Sequence, residues 1–182
     1  MKFVVRLLLA GLVAWAVLAY NRVVRLRNQW RTAWADVDVQ LQRRHDLVPP
    51  LVSTVGAYAR HERATLDAVT ALRAKTLATR EPGALGVVEA ELEQALGRLV
   101  AVVEAYPDLK ASDNFLQLQR DLVEVEEHLQ FARRFFNGAV RDYNTAIERV
   151  PDVLVARATG FGPAEFFQAG ADDRGPVRVS LP

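Results

Sequence analysis

The sequence has 182 residues, with 23 Lys plus Arg, 22 Asp plus Glu and no cysteine. This length suits one compact domain with at most one appendage, which excludes a large multidomain enzyme. The lack of cysteine excludes disulfides, thiolate metal sites and a cysteine nucleophile. The net charge of +1 hides an asymmetry, because residues 1–35 carry a charge of +6 and residues 36–182 carry −5.

The N-terminal segment is strongly apolar. Residues 3–20 read FVVRLLLAGLVAWAVLAY, and Arg6 is the single charge among them. As a helix this segment would span ~27 Å, close to the hydrocarbon thickness of a bilayer. The pattern predicts a transmembrane anchor over residues 1–21, in contact with the lipid bilayer through Phe3, Leu7, Leu8, Leu9, Leu12, Val13, Trp15, Val17, Leu18 and Tyr20.

Basic residues flank this span on both sides. Arg22, Arg25 and Arg27 follow it at once, and we expect them to form a collar at the lipid headgroups. The arginine cluster after the span is larger than the basic group before it, which favours a cytoplasmic C-terminal part. The prediction is therefore a single-pass protein of the cell membrane.

A cleaved signal peptide is the alternative interpretation of the same segment. Residues 7–19 form an apolar core, and Val17-Leu18-Ala19 is an acceptable cleavage site. Against cleavage, the helical pattern continues past Ala19, and the arginines that follow would resist translocation.

The rest of the chain shows helical periodicity and almost no strand alternation. It predicts a first helix that continues the span until Pro49-Pro50, a second over about 49–79, a third over about 86–106 and a fourth from Ser112 or Asp113 to Val150. The predicted fold is all-α: the transmembrane helix continues into a long antiparallel bundle of about four helices over residues 22–150.

The fourth helix has the most regular pattern. Its apolar residues alternate spacings of three and four over about five heptads, which predicts a partner helix packed at ~20° as in a coiled coil. The positions are Phe115, Leu118, Leu122, Val125, Leu129, Ala132, Phe136, Ala139, Tyr143, Ala146 and Val150.

Residues 151–182 contain several glycines and prolines and predict an irregular, partly docked tail. Phe161, Phe166 and Phe167 are expected to pack on the bundle. Residues 177–181 alternate well enough to form one short extended segment.

Motifs for catalysis and metal binding are incomplete. His61-Glu62 opens an H-E-x-x-H pattern, but position 65 is Thr rather than His. A di-iron bundle needs Glu three residues before His, and neither His45, His61 nor His128 has one there. We therefore predict no catalytic residue, no metal, no cofactor and no small-molecule substrate. The basic residues flank an apolar span, so we also predict no nucleic-acid partner.

Polar residues lie beside the apolar faces of the first and fourth helices, namely Asp38, Arg44, Arg133, Asn137 and Asn144. They can be a solvated surface. They can also be a buried polar network between the two helices, which would fix helix register at some cost in stability. The sequence leaves both interpretations open.

The segment QLQRRHDLVPPLV over residues 40–52, with GAYARHE at 56–62 and ARRFFN at 132–137, resembles the signature of LemA family proteins. The matching positions include Trp34, Asp38, Gln40, Arg43, Arg44, Asp46, Pro49, His61, Glu62, Arg133, Asn137, Tyr143 and Asn144. Three positions, Gln42, Pro50 and Phe136, depart from the residues usual in the family.

This resemblance implies a bacterial inner-membrane protein with one N-terminal span, a long helical bundle and no established biochemical activity. Some relatives are associated with membrane organelles of magnetotactic bacteria. The first hypothesis is thus a scaffold or adaptor in membrane organisation that binds copies of itself or a protein partner through helix faces. The second is a small-ligand binder or enzyme using Asp38, Arg43, Arg44, His61, Glu62 and Arg133.

Overall fold

The computed structural model describes residues 1–167, which form six helices and no strand. The helices are α1 (Lys2–Tyr58), α2 (Arg63–Ala78), α3 (Pro82–Val103), α4 (Pro107–Lys110), α5 (Asp113–Glu148) and α6 (Asp152–Ala158). The all-α prediction is confirmed. The described chain divides into two compact units: unit 1 contains Met1–Asp38 and Phe131–Phe166, and unit 2 contains Val39–Gln130 and Phe167.

The predicted helix break at Pro49-Pro50 is wrong, because α1 continues through both prolines to Tyr58. A proline inside a helix lacks an N–H and leaves the carbonyl four residues earlier without its helical donor. For Pro49 that carbonyl belongs to His45, and it accepts a hydrogen bond of 2.7 Å from Nε of Arg73. A side chain of α2 thus replaces the missing backbone donor. The chain turns instead between α1 and α2.

Two short helices were not predicted. α4 is a single turn that begins at Pro107, and α6 lies inside the stretch predicted to be irregular. The α6 helix forms because Asp152 and Ala156, one turn apart, both face inward and are buried. The extended segment predicted at residues 177–181 lies outside the described residues.

Unit 2 has an apolar core built from helical seams. Buried residues at spacings of three and four come from α1, α3 and α5, and α2 adds Val69. The core comprises Val48, Leu51, Val55, Ala59, Val69, Leu92, Ala95, Leu96, Leu99, Val103, Leu109, Phe115, Leu118 and Leu122.

Unit 1 has a smaller core at the end of α5. Val23 of α1, Tyr143 and Ile147 of α5, and Ala156 of α6 form a buried cluster. The predicted seam of α5 holds at Phe136, Ala139, Tyr143 and Ala146, which are all buried. Its last position does not follow the pattern: Val150 is exposed, because α5 ends at Glu148.

The N-terminal part of α1 is the one helix segment of the described chain that is long and apolar enough to cross a membrane. Only 6% of its most apolar 18-residue window is buried. A helix in the core of a soluble protein would bury most of such a surface. The residues predicted to face lipid are exposed, apart from Trp15, which is half-buried.

Candidate functional site

A basic residue occupies the buried seam of α1 in unit 2. Leu41, Val48 and Leu51 recur at helical spacing, and Arg44 stands at the position between the first two. Its side chain is completely buried. An unpaired charge in such a place costs several kcal/mol, so its partners decide whether the helix can pack there.

Glu89 of α3 is the partner that is completely buried. Nη1 of Arg44 donates to Oε2 of Glu89 and to the backbone carbonyl of the same residue, both at 3.2 Å. Glu89 is itself completely buried. It takes a seam position of α3 between Leu85 and Leu92, so two helices each place one charge where an apolar residue is expected.

α5 supplies a second carboxylate. Nη2 of Arg44 donates to Oε2 of Glu126 at 3.0 Å, and Nε lies 2.9 Å from Oε1 of the same carboxylate. Two nitrogens thus face two oxygens, which is the arrangement that favours arginine over lysine. The half-exposed Glu93 lies 3.7 Å from Nη2.

His45 and Thr76 extend the cluster to α2. Nε2 of His45 lies 2.7 Å from Oε1 of Glu89 and 3.0 Å from Oγ1 of Thr76. We call Arg44, His45, Thr76, Glu89 and Glu126 the Arg44 network. It joins α1, α2, α3 and α5.

The centre of the Arg44 network is enclosed, and Glu126 at its edge exposes 23% of its side chain. Arg44 and Glu89 expose none of their side-chain surface, so a dissolved ligand cannot contact them in this conformation. Among residues 1–167, no group of three or more His, Asp or Glu side chains is arranged to hold a metal ion. The arrangement can hold the four helices in register.

Unit 1 contains a second group of signature residues. The side-chain amide of Asn144 donates to the carbonyl of Ala164 and accepts from the N–H of Ala164, both at 2.9 Å. The hydroxyl of Tyr143 donates to the carbonyl of Gly162 at 2.9 Å. These three hydrogen bonds clamp the segment after α6 onto α5. Gly160 turns this segment with a φ of 75°, a conformation that favours glycine.

Aromatic rings pack next to this clamp. The ring of Phe136 lies 5.1 Å from Trp34 and 6.4 Å from Trp30, and Trp30 lies 6.2 Å from Tyr143. Burial raises the pKa of the Tyr143 phenol above its ordinary value, although the positive charges of Arg27 and Arg31 oppose the rise. The hydroxyl therefore stays protonated and able to donate at neutral pH.

The three arginines predicted to form a lipid collar differ in their surroundings. Arg25 is exposed. Nη1 of Arg22 lies 3.4 Å from Oδ2 of the buried Asp152. The guanidinium of Arg27 lies 4.9 Å from the ring centroid of Phe161. Arg22 therefore contacts α6, and Arg27 contacts the segment that follows α6.

The remaining signature residues are placed on surfaces or helix flanks. Asp38, Arg43, Asp46, Pro49 and His61 are exposed, and Gln40, Glu62, Arg133 and Asn137 are half-buried. Of the six residues in the ligand-binding hypothesis, Arg43, Arg44, His61 and Glu62 belong to unit 2, and Asp38 and Arg133 belong to unit 1. In unit 2, Arg44 points inside and Arg43 and His61 lie on the surface.

The sequence interpretation missed several residues of these sites. Glu89, His45, Thr76 and Asp152 were not selected, although all four are buried. For Glu89 a signal existed, because an acidic residue at the 3–4 spacing of an apolar seam is unusual. Asp152 pairs with Arg22, which lies 130 positions earlier in the chain, so the sequence around Asp152 gives no such signal.

A family model described as the LemA family matches residues 33–181. The chain belongs to the LemA family. Three curated relatives show how far the similarity extends. Magnetosome protein MamQ 2 of Paramagnetospirillum magneticum is 27% identical over 86% of this chain and 67% of the relative. Magnetosome protein MamQ of Magnetospirillum gryphiswaldense is 25% identical over 87% and 68%. Protein LemA of Metamycoplasma hominis is 25% identical over 88% and 74%.

The buried charges of this LemA family protein can be tested by a double-mutant cycle. Arg44→Met leaves Glu89 buried with an incomplete set of partners, and we expect a loss of about 3–5 kcal/mol in the free energy of unfolding. Arg44→Met combined with Glu89→Leu removes both charges, so it should lose less than Arg44→Met alone. Urea unfolding of the full chain in detergent, followed by circular dichroism, measures both.

Arg43→Met is the matched control, because Arg43 is the exposed neighbour on the same helix. It should change the free energy of unfolding by less than about 0.5 kcal/mol. Equal, small losses for Arg44→Met and Arg43→Met would contradict a structural role for the Arg44 network.

Proposed function

We propose that this protein is a single-pass, membrane-anchored helical scaffold of the bacterial inner membrane, with a role in membrane organisation. The exposed apolar surface of residues 3–20 carries the proposal. Phe3, Leu8 and Leu18 each expose about 70% of their surface, and no protein segment of the described chain covers them. In water this surface would be unfavourable, whereas a lipid bilayer would accommodate it.

The rest of the described chain supports a structural role. In the Arg44 network, and in the clamp at Tyr143 and Asn144, polar side chains form hydrogen bonds with other groups of the same protein. Groups paired in this way hold helices together, which supports a structural role. Two of the relatives are named as magnetosome proteins, which agrees with a role at an organelle surface.

The same geometry argues against removal of the N-terminal segment. α1 is continuous through Ala19, so cleavage there would cut a helix that has no break. Ala19 is buried, and the ring of Tyr20 lies 5.7 Å from that of Phe161. The end of the apolar segment is therefore part of the folded unit 1.

Membrane extraction tests the anchor. The native chain should stay in the membrane pellet after alkaline carbonate washing, with an intact mass that includes the N-terminal residues. Leu8→Arg combined with Leu12→Arg places two charges inside the span, at about 2.5–3.5 kcal/mol each, and should move the protein to the supernatant. Leu77→Arg, at an exposed apolar position of α2, is the control and should stay in the pellet. Recovery of a soluble, shortened chain would show that the segment is a signal peptide.

For orientation, we propose that the C-terminal part lies in the cytoplasm. Arg22, Arg25 and Arg27 lie directly after the span, and cytoplasmic flanks carry an excess of such residues. The chain has no cysteine, so Ser53→Cys creates a single exposed thiol on α1. A membrane-impermeant maleimide should label it only after cell lysis. Labelling in intact cells with a permeabilised outer membrane would place this part outside the cytoplasm.

For the scaffold contact, we propose self-association through α5. Phe131 and Phe135 lie one turn apart and expose 65% and 55% of their surface. The guanidinium of Arg134 lies 4.6 Å from the ring centroid of Phe131, which adds a cation that can stack on a second ring. In a twofold dimer this patch meets its own copy, so aromatic residues meet aromatic residues.

Molar mass in detergent tests this contact. The native chain should be a dimer, and Phe131→Ser combined with Phe135→Ser should shift it to monomer, because the aromatic area is lost. Val123→Ser with Leu77→Ser removes exposed apolar residues elsewhere and should leave the dimer intact. A monomeric native chain would rule out self-association under these conditions, and an equal effect of both double variants would rule out this face.

A further inference from the structure

The connection between α5 and α6 lies at the end of the membrane span. Nη1 of Arg22 lies 3.4 Å from Oδ2 of Asp152, the first residue of α6. The ring of Tyr20, the last residue of the span, lies 5.7 Å from the ring of Phe161. Both contacts lie inside unit 1. These contacts place Asp152 and Phe161 beside the C-terminal end of the apolar segment, where the proposed span would leave the hydrocarbon of the bilayer.

The course of α5 leads to the same height. The ring of Tyr143 lies 6.2 Å from Trp30, and one turn later Ile147 packs in the cluster that contains Val23. α5 therefore approaches the span as its residue numbers rise. Val150 follows two residues after α5 ends at Glu148, in the turn that leads to α6.

At this place two large apolar side chains are exposed. Val150 exposes 78% and Leu154 64% of their surface, and Val150 is the most exposed large apolar residue of the described chain outside residues 1–20. The opposite face of α6 is occupied, because Asp152 and Ala156 are buried against the protein. Val150 and Leu154 thus point away from unit 1 while the helix itself is held in place.

Basic residues flank this apolar pair. Arg149 and Arg157 are both exposed, and the one acidic residue between them, Asp152, is buried and paired with Arg22. An apolar pair between arginines matches the boundary between acyl chains and phosphates, where arginine can extend to the headgroups.

We propose that the α5–α6 connection is a second membrane contact. Val150 and Leu154 insert into the headgroup–acyl boundary of the bilayer that holds the span, and Arg149 and Arg157 bind lipid phosphates. This inference rests on the proposed membrane anchor. A span alone can rotate about its axis, whereas a span with a second contact at its side has one favoured rotation. The contact would thus fix which face of unit 1 lies toward the lipid.

Spin-label depth measurements on the full chain test this contact. The chain has no cysteine, so single cysteines at Val150 and Leu154 can be labelled separately. Leu9 in the span is the reference for lipid, and Val123, an exposed apolar residue of α5 in unit 2, is the reference for water. The protein is placed in vesicles of phosphatidylcholine and phosphatidylglycerol, and the collision rates with oxygen and with a water-soluble nickel chelate are compared.

The labels at Val150 and Leu154 should have an oxygen-to-nickel collision ratio several-fold above that at Val123 and below that at Leu9. A ratio equal to that at Val123, with Leu9 in lipid, overturns the second contact and leaves the anchor standing. If Leu9 itself is in water, the membrane anchor fails and this inference fails with it.

The arginines are tested with the label at Leu154. Arg149→Glu combined with Arg157→Glu should lower the collision ratio toward the value in water, because carboxylates repel the anionic lipid. Arg98→Glu combined with Arg120→Glu changes the same charge at exposed positions of unit 2 and should leave the ratio unchanged. An unchanged ratio in the first double variant overturns the role given to the two arginines.

Discussion

The packing of unit 2 depends on one buried pair of opposite charges. Arg44 and Glu89 each take a seam position where an apolar residue would pack without further conditions, and each is completely buried. Sliding α1 against α3 by one helical turn, about 5.4 Å, would leave both charges without partners in the interior. The apolar seams alone tolerate such a shift far better, since leucine can pack on leucine in several registers. The charges therefore select one register among several that hydrophobic burial would allow.

Local patterns of the sequence predicted the helices, whereas contacts between distant residues could not be predicted from it. Periodicity predicted the long helices because apolar spacing is a local property. The break at Pro49 was predicted wrongly because the group that satisfies the freed carbonyl of His45 comes from Arg73, which lies 28 positions away. Val150 continued the seam of α5 by spacing, yet the helix ends before it.

The candidate sites show the same limit. Arg44, Tyr143 and Asn144 could be selected from their pattern, and the seam position of Glu89 gave a signal as well. Which residue pairs with which could not be predicted, because a hydrogen-bond partner is set by three-dimensional proximity, and the partners Gly162 and Ala164 gave no signal of their own. Gly162 and Ala164 take part through their backbone atoms. Every residue has a backbone carbonyl, so the residue type does not indicate such a role. The residues that carry the family resemblance are thus in part those that hold backbone and charge in place. A site for chemistry would instead need groups that remain free to react.

The absence of a break between the apolar segment and the rest of α1 has a mechanical consequence. Helix α1 has no proline until Pro49, and no loop separates Tyr20 from Arg22. If the apolar segment spans a bilayer, its tilt and the tilt of the α1 segment in unit 1 are the same angle. A span longer than the local hydrocarbon thickness accommodates by tilting. A thinner bilayer would therefore lean the α1 portion of unit 1, with Trp30 and the packed rings around it, toward the membrane plane, so the protein would convert bilayer thickness into orientation.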